Sequence, residues 1–246
     1  MVLFVKNMEH KITLQFGHTD EKGNVHKEVI FGKRLTGEDL FLIDNDRQAQ
    51  SRTQYVELIR RKAMTGFGGL RMPPALDVLL KLNRIDRGIL AEGYEDFCRD
   101  TRGEKTGEFK ANNTVVLVFG FNIDGVNYPI VELNRMTNGF DEVQADALDL
   151  DGLSRVCFLI GRMISKISSE DGSLSIEGPI DFDRFKTLDA DDVSLLRKGA
   201  QMAEIFFRIA GSEVSEVRAS DDTASGDAGN GNERGGDLEP SESQAG

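Results

Sequence analysis

The sequence predicts an α+β fold of two tandem repeats, each a β-hairpin followed by a small helical bundle, with a disordered acidic tail behind them. Three observations predict it. The stretch LNRIDRGILAEG, Leu82 to Gly93, returns in degraded form as LDADDVSLLRKG, Leu188 to Gly199, with Leu, Asp, Leu and Gly kept at the same spacing. The stretch KITLQFG, Lys11 to Gly17, returns as TVVLVFG, Thr114 to Gly120. The elements between these markers follow the same order in both halves, which a chance local match does not produce. The expected boundaries are residues 1–108 for the first repeat, 109–211 for the second and 212–246 for the tail.

The first half opens on Val2 to Val5, a short apolar segment read as a strand. In KITLQFG, Ile12, Leu14 and Phe16 alternate with Lys11, Thr13 and Gln15, the period of a half-buried strand. The polar HTDEKGN follows, where Gly23 and Asn24 tolerate the positive φ of a hairpin turn, and HKEVIFGKRL returns as the partner strand. In LTGED, Thr36 is placed to cap a helix with Asp39 three residues on. A short helix from Glu38 and a longer one from Ser51 to Met64 come next, the second with Tyr55, Leu58, Ile59 and Lys62 on one face. The glycines and prolines of TGFGGLRMPP end it. A further helix is expected from Ala75 to near Cys98, with Leu79, Leu82, Ile85, Ile89 and Phe97 as its buried stripe. RDTRGEKTGEFKANN reads as a polar connector.

In the second half Gly125 stands for Gly23, and YPIVELNRM for HKEVIFGKRL. RMTNG, Arg135 to Gly139, answers RLTG, and CFLIGR, Cys157 to Arg162, answers VELIRR. Leu153, Val156, Ile160, Ile164 and Ile167 give that helix its apolar face. A second glycine-rich loop, SSEDGSLSIEGP, puts Pro179 in the place of Pro74, and AEIFFR follows as YEDFCR does. Val116 and Val118 make the first strand of this half apolar on both faces. Such a strand is covered on both sides, so the second hairpin is expected in the middle of a shared sheet or against a partner.

Charge and composition narrow the function classes. The net charge is −12, of which Ser212 to Gly246, with nine acids and two bases, carries −7. An acidic chain is a poor sequence-independent ligand for nucleic acid, whose phosphates are met by lysine and arginine. The local basic run Arg60, Arg61 and Lys62 is the one exception. After Gly211 the composition turns to Ser, Asp, Glu, Gly, Ala and Asn, too polar to offset the entropy of ordering. Cys98 and Cys157, with no CxxC neighbour, read as reduced core residues. No apolar run approaches the roughly 20 residues that span a bilayer. MVLFVKNMEHK lacks a signal peptide's pattern, so a cytoplasmic protein is expected, with no membrane partner.

Candidate chemistry is sparse. His10, His18 and His26 lie in the first hairpin region, without cysteine or carboxylate ligands at a recognisable spacing, and are expected to face solvent. IDNDR, Ile43 to Arg47, and DADD, Asp189 to Asp192, lack the ligand pattern of a calcium loop. Acidic residues in a first turn favour the helix dipole, so DADD is read as a helix start. TGFGGL has a phosphate cradle's glycines but no GKS or GKT ending, and follows a helix. Met64, Phe67, Leu70 and Met72 in the same loop suit an adaptable protein-binding surface, and equally a segment that folds back to close the core, which is the favoured reading. Together with Val116 and Val118 they are the candidate partner-binding residues. No catalytic set emerges, so neither an enzyme nor a cofactor or metal is expected.

The hairpin, RLTGEDL at Arg34 to Leu40, the glycine and proline loop and LLKLNRIDRGILAEGYEDF at Leu79 to Phe97 together resemble the tail assembly chaperones of long-tailed bacteriophages, particularly the Mu-like, contractile-tailed kind. The resemblance lies in the first half and reaches the second through the repeat. It implies a host-cytoplasmic factor that binds the tape measure protein, keeps it soluble and promotes tail tube assembly. The tail tube protein and a second copy of the chain are further implied partners. Family members are usually one repeat long, and here one chain would do the work of two. The alternative is a structural tail or baseplate subunit retained in the particle.

Overall fold

Each half of the chain has an antiparallel hairpin in its sheet, and helices follow each hairpin in sequence. The computed structural model describes residues 8–110 and 113–204. The apolar segment at Val2 to Val5, the sequence after Glu204 and the expected tail lie outside the described residues. The fold is α+β with two separate sheets.

In the first half, β1 (His10–Thr19) pairs antiparallel with β2 (Val25–Phe31), and β3 (Met64–Phe67) adds to β2 in a sheet of order β1-β2-β3. Between β2 and β3 lie α1 (Gly37–Asp44) and α2 (Arg52–Ala63). Helices α3 (Leu76–Leu80) and α4 (Arg84–Arg102) follow. The expected capping box is present: the Thr36 hydroxyl accepts from the Asp39 N–H, and the Asp39 carboxylate accepts from the Thr36 N–H at 3.2 Å. Ser51 caps α2 by accepting from the Gln54 N–H.

In the second half, β5 (Thr114–Ile123) and β6 (Val126–Glu132) form the hairpin, and α5 (Gly139–Ala147) and α6 (Gly152–Met163) follow it. Next come β7 (Lys166–Ser168), β8 (Ser175–Glu177) and α7 (Phe182–Thr187), then a further helix, α8, from residue 190 and described to 204. With β4 (Glu108–Lys110) at the far edge, the second sheet runs β4-β5-β6-β7-β8.

Several expectations are corrected. The helix expected from Ala75 to Cys98 is two helices, because Asn83 takes extended backbone and its side chain accepts from the Asp86 N–H, starting α4 afresh. Ile85, expected in the buried stripe, is therefore turned outwards, and Leu90 takes its place inside. The polar connector supplies the end of α4 and edge strand β4, and the second glycine-rich loop is the β7-β8 hairpin. Ile167, assigned to a helix, lies in β7 with its side chain fully buried. The second hairpin is not in a shared sheet. It is covered by β4 on one edge and β7 on the other, within its own sheet.

The recurring motif has a physical explanation. Gly17 and Gly120 take positive φ in β-bulges, where the register of β1 with β2 and of β5 with β6 shifts. A bulge leaves backbone N–H groups without ladder partners. The Asp86 carboxylate accepts from the N–H of Gln15 (2.7 Å), Phe16 (3.2 Å) and Gly17 (2.8 Å). The Asp192 carboxylate does the same for Val118 (2.6 Å), Phe119 (2.9 Å) and Gly120 (2.9 Å). One turn on, Leu90 and Leu196 are fully buried. At the next step Gly93 and Gly199 let the helix touch the strand: a Cβ at either would stand 2.6 Å from Ile12 Cγ2 or 2.5 Å from Val115 Cγ2. At this 106-residue offset Pro179 answers Pro73, not Pro74.

Two apolar cores result. The buried side chains of one, among them Leu14, Val29, Phe31, Leu79, Leu90 and Phe97, all come from the first half, with Ala190 of the second half packed against it. The other is built from the second half but also takes in Leu40 and Phe41 of α1.

Candidate functional site

The three histidines do not share one site. His10 faces Asp100 at 3.3 Å, and His26 is held by the Gly68 carbonyl and by Asp20 at 3.1 Å. The Gly68 carbonyl first, and the Asp20 carboxylate second, raise the His26 pKa above its ordinary value. His18 pairs with His26 across the hairpin. Among the described residues no group of His, Cys, Asp and Glu is placed to hold a metal, and none of their helices is long and apolar enough to cross a membrane.

The six candidate partner-binding residues do not form one surface. Met64 and Phe67 belong to β3 and are buried in the first core, as is Val118 in the second half. Leu70 and Met72 are half-buried against the first core, and Val116 is half-buried on β5, where it pairs with Glu108 and Ile130. Buried side chains have no face to offer, so only Leu70, Met72 and Val116 retain accessible area. The loop folds back to close the core because β3 completes the edge of the first sheet.

The cysteines are free. Cys157 is fully buried, and burial pushes its thiol up to about 12, so it stays protonated. Burial also raises Cys98. Neither has the depressed pKa of a nucleophile.

The most structured polar constellation lies where the halves meet. Arg34, just before α1, donates from Nε to Asp189 Oδ2 and from Nη2 to Asp189 Oδ1, both at 2.7 Å, a two-pronged pairing that fixes orientation as well as charge. The same Nη2 reaches Asp191 at 2.9 Å, and Nη1 donates to the Thr101 hydroxyl and the Cys98 carbonyl. The guanidinium lies 4.5 Å from the centre of the Phe119 ring. Arg102 adds a second contact to Asp191 at 2.9 Å. Around this knot the Gly37 N–H donates to the Leu188 carbonyl at 2.8 Å, and the Ala190 N–H to the Leu35 carbonyl at 3.0 Å. Phe41 stacks on Phe182 with ring centres 5.2 Å apart. Gly37 is required here, because a Cβ would collide with the Phe185 carbonyl oxygen. Asp44 of IDNDR adds a further tie, accepting from the Leu153 N–H at 2.7 Å.

The knot also separates two otherwise matching aspartates. Burial raises the Asp86 carboxyl, but the N–H groups of Gly17, Phe16 and Gln15 and the Asn83 amide outweigh it and leave it lowered. Asp192 is raised: burial is the largest cause, its three N–H donors oppose it, and the charge on Asp189 adds to it. Asn83 and Asp189 hold corresponding places at the helix starts. The amide donates to Asp86, whereas the carboxylate repels Asp192.

One surface depression of about 170 Å³ lies on the first half, lined by Leu42, Ile43, Leu58 and Pro73 and by Arg61, Lys62 and Asp46. Leu42 is exposed and so available to a partner. The sequence singled out Arg61 and Lys62 as basic, and Met72 precedes Pro73. Without the tertiary fold, nothing placed Leu42 beside them.

The chain matches no known protein family, no characterised protein and no solved structure.

Proposed function

We propose that this protein is a tandemly duplicated tail assembly chaperone of a contractile-tailed phage, which binds the tape measure protein, keeps it soluble and promotes tail tube assembly in the host cytoplasm. The resemblance of the RLTGEDL and LLKLNRIDRGILAEGYEDF stretches supplies the family. The duplication is supported by the matching Asp86 and Asp192 contacts to the two bulges. The observation that carries a binding role is the depression lined by Leu42, Ile43, Leu58 and Pro73 together with Arg61, Lys62 and Asp46. An amphipathic helix with apolar side chains at i, i+3 and i+4 and charged neighbours is the ligand such a groove accepts. The resemblance implies a tape measure protein built of such helices. The contact is small, so each segment is held weakly and released as tube subunits arrive.

The test is co-expression with a candidate tape measure protein. The expected result is a soluble tape measure protein that co-purifies with the chain, and loss of both with Leu42→Glu, a substitution at an exposed position. An insoluble tape measure protein and no complex on a sizing column would overturn the reading. Recovery of the chain in purified particles by mass spectrometry would replace it with the structural tail or baseplate role.

A further inference from the structure

We infer that His26 is a pH-sensitive latch: as an imidazolium it ties the loop after β3 to the first hairpin, and on losing a proton it lets that loop go. The inference rests on the geometry around the ring and is independent of any tail-assembly role.

Both ring nitrogens face acceptors. Nδ1 lies against the Gly68 carbonyl oxygen, and Nε2 stands 3.1 Å from the Asp20 carboxylate. A carbonyl and an ionised carboxylate have no hydrogen to give, so both contacts are hydrogen bonds only when both nitrogens carry a proton. A neutral ring has one proton for two acceptors and turns a lone pair on the other.

The surroundings decide which contact fails. Asp20 is fixed by the hairpin turn, where its carboxylate accepts from the N–H groups of Lys22 (2.9 Å) and Asn24 (2.8 Å) and from the Asn24 amide (3.0 Å). The Asn24 side chain first, and then His26, lower the Asp20 pKa, so the group stays ionised. A charged acceptor holds the remaining proton more strongly than a neutral one. The neutral ring therefore keeps its hydrogen on Nε2 and faces Gly68 with the Nδ1 lone pair. Of the other titratable and charged groups nearby, His18 stands opposite His26 on β1, Lys27 is turned to the Gln15 carbonyl at 2.8 Å, and Arg71 of the loop is exposed.

The loop rests directly on that ring's residue. A Cβ at Gly68 would stand 2.8 Å from the His26 Cβ, a closeness that only glycine permits. At the far end of the loop Arg61 Nε donates to the Pro74 carbonyl at 2.6 Å. Between these two ties lie Leu70 and Met72, half-buried against the first core, and Pro73, which lines the depression. Loss of the His26 tie thus loosens one wall of the depression. The second half has an apolar pair at this place: Phe121 and Tyr128, both buried, stand across the hairpin where His18 and His26 do. Neither titrates near neutral pH, so the latch belongs to the half that carries the depression.

NMR of the full-length chain between about pH 5 and pH 9, the range in which histidine changes charge, tests this. Both contacts favour the charged ring, so His26 is expected to titrate above the ordinary histidine value, and the tie is full below that value and lost as pH rises through the folded one. The 15N shifts of the neutral ring should place its hydrogen on Nε2. The Gly68 and Leu70 amides, which donate to the Glu28 and Phe67 carbonyls, should lose about tenfold in exchange protection, corrected for the intrinsic rate, as the ring deprotonates. Amides of the second hairpin should keep theirs. Asp20→Asn should bring the His26 titration down, and His26→Gln should remove the pH dependence of the loop amides. A ring that titrates at or below the ordinary value, a neutral ring protonated on Nδ1, loop protection that is flat through the titration, an unmoved titration in Asp20→Asn, or the same loss in His26→Gln would each overturn the inference.

Discussion

Replacing Asp86 by Ala tests how much the recurring motif contributes to stability. The carboxylate is fully buried and accepts from three backbone N–H groups of the β1 bulge and from the Asn83 amide at 3.0 Å. Truncation leaves three strand N–H groups without their acceptor, and the register shift denies them a ladder partner. At about 1–3 kcal/mol for each unsatisfied group, and with Gln15 and Phe16 near enough to the surface to recover some hydration, the expected loss is about 3–4 kcal/mol. That is a large share of the roughly 5–15 kcal/mol of a typical domain. Urea unfolding followed by circular dichroism gives the loss. Hydrogen exchange gives its location, because the amides of Gln15, Phe16 and Gly17 should lose protection first. A loss under about 1 kcal/mol, with those amides still protected, would refute the assignment of Asp86 as the clamp on the bulge.

The matching aspartates should respond oppositely to pH. The lowered Asp86 pKa gives stability that is present above the ordinary aspartate value and lost as pH falls through its folded value, so wild type should gain on Asp86→Asn as pH rises through that window. The raised Asp192 pKa gives stability that is full below the ordinary value and lost as pH rises through the folded one, so wild type should lose ground to Asp192→Asn there; unfolding midpoints against pH separate the two. Arg34→Met leaves Asp189 and Asp191 facing each other without their shared cation and should cost about 3 kcal/mol, measured by denaturant unfolding, with proteolysis near Gly37 increased. Gly37→Ala drives a Cβ into the Phe185 carbonyl and should cost more than about 2 kcal/mol, whereas Gly139→Ala should change monomer stability by less than about 0.5 kcal/mol in thermal unfolding of dilute protein.

What could be read from the chain alone depended on distance along it. The alternation in KITLQFG, the Thr36 and Asp39 cap and the helix beginning at Ser51 are decided by neighbours within a few residues, and the structure has all three. The helix break at Asn83 was also local, but the apolar spacing across it matched a continuous helix, which hid the cap. Ile85 was misplaced for the same reason. Strands β4, β7 and β8 are only three residues long and draw their hydrogen bonds from partners that sequence patterns do not reveal.

The sequence by itself determined that Leu, Asp, Leu and Gly recur at one spacing, and the last three of these fall on one helix in each half. It could not say what the aspartate was for. Only the tertiary structure brought Asp86 to a bulge some 70 residues earlier in the chain, and Asp192 to its counterpart. The candidate interaction face follows the same division. Leu42 joins Pro73 in the depression through packing across about 30 residues of sequence. Which apolar side chains are covered and which are left in water is set by that packing, and local periodicity carries no record of it.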